Sequence, residues 1–73
     1  MDDLLDLKTK KVTENIRKTR ESKRLTQEYL AGKLGISQNA YSKIELGYSQ
    51  ITVYRLFQIT RALDVDVTEL LSS

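Results

Sequence analysis

Four times along this chain the same local device recurs: a hydrophobic residue, then a polar one, then a second hydrophobe four positions on. The sets are Leu25-Thr26 with Leu30, Ile36-Ser37 with Tyr41, Ile51-Thr52 with Leu56, and Val65-Asp66 with Leu70. Each reads as a capped helix start, the two hydrophobes clasping across the polar cap. Glu69 adds a carboxylate three residues after Asp66, a variant of the capping box. Gly35 after Leu34 and Gly47 after Leu46 mark helix ends, where glycine tolerates the left-handed conformation. An earlier helix is expected from Thr9, with Val12, Ile16 and Thr19 facing inward.

The reading is therefore all-α, with five helices near 9–23, 26–34, 37–46, 52–63 and 67–71. The absence of proline agrees with it. Short loops make sequential helices neighbours. The expected core is Val12, Ile16, Leu30, Ala31, Leu34, Ile36, Ile44, Leu56, Ile59 and Leu63, closed by Val53, Val67 and Leu70. Gly32 falls inside a helix, where it costs about 1 kcal/mol relative to Ala, and nothing in the sequence accounts for it. Residues 1–8 stand apart as an N-terminal arm ahead of a domain over 9–73. Leu4, Leu5 and Leu7 lie there among three aspartates, open to fraying, to extending the first helix or to covering a subunit contact.

Seventy-three residues suit one domain. A chain this short buries only about 60% of its unfolded surface, so regular packing or a partner subunit must help. Without cysteine or histidine there is no disulfide, no thiolate metal site and no imidazole base. Asp64 and Asp66 sit at a helix start, where capping explains Asp66. No catalytic residue, metal or cofactor is expected. Asp2, Asp3 and Asp6 stand where a signal peptide would be positive, and no apolar run is long enough for a bilayer, so the expected location is cytoplasmic.

Charge is unevenly placed. From Lys8 to Lys43 there are ten basic residues against three acids, a local net of +7; the remainder has two against seven, a net of −5. One pole is suited to a polyanion. Inside that basic window, Leu30, Ala31 and Leu34, the turn at Gly35 and Ile36, then Tyr41 and Ile44 form two short helices with facing apolar sides, the helix-turn-helix pattern. On the second of these helices Gln38 stacks on Ser42 and Asn39 on Lys43, one polar face without a carboxylate. Asn and Gln amides pair with adenine, and Lys suits guanine O6 and N7. Gln38, Asn39, Ser42 and Lys43 are the expected base contacts, with Ser37 as the cap of this helix.

The stretch LTQEYLAGKLGISQNAYSKIELGYSQITVYRLFQITRALDVDVTELL resembles the Cro/phage-repressor, or Xre-type, helix-turn-helix family, and the resemblance covers about Ile16 to Leu71. It rests on Thr-Gln opening the first motif helix, Leu-Ala, Leu-Gly, Ser opening the second, Ile-Glu and then Gly. It implies a compact five-helix, lambda-repressor-like DNA-binding domain. It also implies a base contact from Ser37, a phosphate contact from Gln27, a structural ion pair between Arg20 and Glu45, and loop phosphate contacts from Tyr48 and Gln50. Leu46 departs from the pattern, since many members carry a polar or basic residue before this glycine. Lys10, Lys11, Arg17, Lys18, Lys23, Arg24 and Lys33 are phosphate candidates only as a group.

The expected function is sequence-specific binding of a double-stranded DNA operator in transcriptional control, as a repressor. One recognition helix supplies few base contacts, so a homodimer on a palindromic site is expected. Ile51, Tyr54, Leu70 and Leu71 are its candidate surfaces. In the alternative reading the same fold serves as an antitoxin or other protein-interaction module with a protein partner.

Overall fold

The computed structural model describes residues 3–72 and, among them, is all-helical: α1 (Asp3–Ser22), α2 (Gln27–Leu34), α3 (Gln38–Glu45), α4 (Val53–Leu63) and α5 (Val67–Leu71). The helix starts are the polar residues of the recurring device. Side-chain oxygens of Thr26, Ser37, Thr52 and Asp66 accept from the amides of Tyr29, Ala40, Arg55 and Thr68. Each satisfies one of the amides that a helix start leaves without an intrahelical partner.

The helix ends share a device as well, only half of it visible in the sequence. Gly35 and Gly47 adopt positive φ, at 71° and 80°, but so do Arg24 at 58° and Asp64 at 57°. After each of the four, the next amide reaches back five residues: Leu25 to Arg20, Ile36 to Ala31, Tyr48 to Lys43, and Val65 to Thr60. These are Schellman-type closures. Two of them hold a non-glycine residue in a conformation that glycine adopts more cheaply.

The first helix departs from the expected start near residue 9. It begins at Asp3, with Asp3 and Asp6 in its first turn, where the helix dipole favours acids. Residues 3–8 thus extend α1, while Met1 and Asp2 of the expected arm, and Ser73 of the expected domain, lie outside the described residues. Twenty helical residues span about 30 Å, close to the molecule's 33 Å long dimension.

Ile16, Leu30, Ala31, Leu34, Tyr41, Ile44, Ile59, Leu63 and Leu70 form the buried core. Val12, Leu25, Ile36, Ile51, Leu56, Ala62 and Val65 pack around it half-buried. Val53, expected in the core, is 70% exposed. Ile51, ahead of the Thr52 cap, packs half-buried against the core at this end, while Val53, in line with Leu56 and Thr60 three and seven residues on, stands in the open first turn of α4. Val67 is half-buried. Thr13 and Thr60 are buried polar residues that the apolar periodicity omits. Each hydroxyl donates to the backbone three residues earlier, Lys10 O at 2.9 Å and Phe57 O at 2.8 Å, so burial leaves neither unsatisfied. Asn15 of α1 donates to Leu70 O at 3.0 Å, tying the end of α5 to the first helix. At Gly32 an added Cβ would meet nothing. No described helix is long and apolar enough to cross a membrane.

Candidate nucleic-acid interface

Helices α2 and α3 are joined by the turn at Gly35, Ile36 and Ser37. Leu30, Ala31 and Leu34 from α2 are buried, as are Tyr41 and Ile44 from α3. The small Ala31 side chain permits close approach of the two helices. With Tyr41, Ile44 and Glu45 turned inward, the rest of α3 faces out: Gln38, Asn39, Ala40 and Lys43 are exposed and Ser42 is half-buried. Gln38, Asn39 and Lys43 have no side-chain bonding partner among the described residues. The geometry thus brings Gln38, Asn39, Ser42 and Lys43 to one accessible strip. Ser37 stands at its start, its oxygen taken by Ala40 N at 3.0 Å and its hydroxyl proton still available to donate.

A buried polar cluster fixes the direction of this strip. Arg20 Nε donates to Glu45 Oε2 at 2.7 Å and Arg20 Nη2 to Glu45 Oε1 at 3.0 Å, a two-pronged pair between α1 and α3. The two side chains are 11% and 2% exposed. Arg20 Nη1 also donates to Leu25 O at 2.8 Å, and Gln27 Nε2 to Glu45 Oε1 at 3.1 Å. One guanidinium and one carboxylate therefore lock the end of α1, the start of α2 and the end of α3 together. The hydrogen bond to Glu45 raises the Arg20 pKa despite burial. Burial by itself would raise the Glu45 carboxyl, but Arg20 foremost, then Tyr41 and Gln27, outweigh it and hold the carboxyl below its ordinary value. The Tyr41 hydroxyl is buried without a partner at hydrogen-bonding geometry. Desolvation first, and the adjacent Glu45 second, keep its proton on far above the usual tyrosine range.

The cluster also accounts for the absence of acid on the outer face of α3, because its one carboxylate is turned inward. Gln27, assigned to phosphate by resemblance, has its amide against Glu45; its second amide proton and the backbone amides at the start of α2 remain to meet an anion. Tyr48 and Gln50 are exposed in the loop after α3, and Leu46 is exposed beside them. Among the phosphate-candidate bases, Arg17 lies 3.8 Å from Glu21 in an exposed pair of little energetic weight. Lys33 sits 5.4 Å above the Tyr29 ring.

One cation was missed in the sequence. Arg55 of α4 lines an open cleft of about 280 Å³ with Ile36, Ala40 and Ile44 and with Ser49, Gln50 and Thr52, which follow α3. Its guanidinium is positioned by Gln58 Oε1 at 3.0 Å. Counting charge by window grouped Arg55 with the acidic remainder of the chain; the chain's return after α3 brings it beside Ser49 and Gln50 of the loop.

Comparison with known proteins gives a family and two informative relatives. The helix-turn-helix family matches residues 16–70. The chain is 42% identical over 59 residues to an uncharacterised HTH-type transcriptional regulator, YqaE, of Bacillus subtilis, covering 81% of this chain and 51% of that protein. It is 32% identical over 60 residues to another such uncharacterised regulator, y4dL, of Sinorhizobium fredii, covering 82% of this chain and 31% of that one. The chain thus spans about half of the first relative's length and about a third of the second's. No solved structure matches.

Proposed function

The chain belongs to the helix-turn-helix family, and from that premise we propose that it is a transcriptional regulator that binds double-stranded DNA by laying α3 in the major groove. The observation that carries this reading is the acid-free strip of Gln38, Asn39 and Lys43, exposed, with the half-buried Ser42, while the Arg20–Glu45 pair holds the other side of the helix. Amides and an ammonium at these positions match the donor and acceptor pattern of base edges. Ser37 adds a hydroxyl at the start of the same helix. Gln27, with the amides opening α2, Tyr48, Gln50 and Arg55 flank the strip and set its register on phosphates.

A single α3 offers only a few base contacts of about 1–3 kcal/mol each. Two copies on half-sites about one helical turn apart, 34–36 Å, supply the rest. The regulator accordingly acts as a homodimer on a palindromic operator, as a repressor that occupies its site, in the cytoplasm. Selection from random duplexes at moderate salt tests this: a two-fold motif should be enriched, and enrichment of no motif would refute it. One observation favours a protein partner as a second reading, namely the exposed Val53, Tyr54 and Phe57 of α4. Under it, a bound protein would persist when Gln38 and Lys43 are both replaced by Ala.

A further inference from the structure

Ala40 is the one exposed residue of α3 that the polar strip does not use. Helical spacing sets it beside Lys43, three residues on, and Ile44, four residues on. It therefore borders the strip on the edge away from Gln38 and Ser42. Ile36, Ala40 and Ile44 follow one another at intervals of four and make one wall of the open cleft of about 280 Å³. Ile36 is half-buried and Ile44 buried, so Ala40 carries this apolar wall out to the surface. Ser49, Gln50 and Arg55 line the rest of the cleft. The Arg55 guanidinium rests on Gln58 Oε1 and meets no acid among the described residues. One edge of α3 is thus a small apolar surface bordered by an amide, a hydroxyl and a cation.

What such a surface meets follows from the strip beside it. The amides of Gln38 and Asn39 suit adenine N6 and N7. Every adenine read in the major groove has a thymine opposite, whose 5-methyl projects into the same groove. A methyl pressed on an amide or an ammonium takes water from the polar group and returns no hydrogen bond. Pressed on an apolar side chain, it gains by burial. Among the exposed residues of α3, Ala40 alone offers that surface.

We propose that Ala40 is a specificity-determining residue, whose side chain, backed by Ile36 and Ile44, receives the 5-methyl of one thymine in the bound site. The 5-methyl lies at the backbone end of thymine's groove edge, so a strand that sets it on Ala40 carries its phosphates toward Gln50 and Arg55. The proposal rests on α3 entering the major groove and adds a base preference that no hydrogen bond supplies.

Deoxyuridine tests it, because exchanging it for thymine removes the methyl and keeps the base pair. In the duplex that the chain selects, thymines are exchanged one at a time and affinity is measured for each. At one position the exchange should weaken binding about three- to fivefold, the worth of one buried methyl. Ala40→Gly removes the side chain that receives it and should bind the thymine and deoxyuridine duplexes alike at that position. Its response at other thymines should match that of the unaltered chain. Ala40→Ser, which puts a hydroxyl on the same surface, should lower the ratio as well. The readout is a ratio of two affinities of one protein, so a lower helix stability in the glycine variant cancels from it. A ratio unchanged in Ala40→Gly, or a selected duplex on which no single exchange is felt, would overturn the inference and leave DNA recognition standing. Selection of no duplex at all would overturn both.

Discussion

Helices α3 and α4 begin alike and end up facing different chemistry. Both open on a hydroxyl cap, and both bury one apolar stripe against the same core. The outward side of α3 carries amides and an ammonium; that of α4 begins with Val53, Tyr54 and Phe57, the last 53% exposed. Their anchoring differs too. Alongside its apolar contacts, α3 is held by a buried ion pair that reaches across to α1, whereas α4 is seated by Leu56, Ile59 and Leu63. An apolar stripe fixes which side of a helix faces the core and leaves rotation soft. A two-pronged guanidinium–carboxylate pair adds direction, which a helix that must match base edges needs and a general surface does not.

The largest test of that contrast is to cut the pair. Arg20→Ala strands a buried carboxylate and should cost about 3–5 kcal/mol in denaturant unfolding; a loss below 1 kcal/mol would make the anchoring of α3 no different from that of α4. The same pair predicts an acid response. The folded Glu45 carboxyl titrates below its ordinary 4.5, so its contribution is complete above that value and is lost as pH falls through the folded one. Glu45→Gln should flatten this part of the stability profile, and an unchanged acid slope would contradict the assignment.

On the outer side of α3, Gln38→Ala should leave the unfolding curve in place. It should weaken binding to the preferred duplex by about 1–3 kcal/mol and relax one base position. Equal weakening on every sequence would mean that Gln38 reads no base. Stability and reading should also separate in the opposite direction. Gly32→Ala places a methyl where there is open space and should raise stability by about 0.5–1 kcal/mol, with the same base preference in competition binding. The smallest effect is expected on α4, where Tyr54→Ser should shift stability within about 0.5 kcal/mol and leave base preference unaltered.

Four of the five helices were legible from starts that repeat one physical device and the first from its apolar spacing alone, and the outer strip of α3 was legible because helical geometry alone sorts Gln38, Asn39, Ser42 and Lys43 from Tyr41 and Ile44. What escaped had no local signal. Arg24 and Asp64 occupy left-handed helix ends that composition assigns to glycine. Thr13 and Thr60 are buried with their hydroxyls on the preceding turn, which apolar periodicity does not register. The start of α1 was open because aspartates favour a helix beginning while the leucines beside them, exposed in the structure, belong to no core stripe. Arg55 comes beside Gln50 only through the tertiary return of α4. Val53 fits the core by residue type and spacing, but in the first turn of α4 it is Ile51, two positions earlier, that packs against the core.

The face that takes DNA is tested most directly by titrating the ¹⁵N-labelled chain with the duplex it selects and following its backbone and side-chain amides. The account predicts the largest shifts at Ser37 through Lys43, including the Gln38 and Asn39 side-chain amides, with smaller ones at Gln27, Gln50 and Arg55. Unmoved resonances along α3, with the changes gathered on Val53, Tyr54 and Phe57, would contradict it.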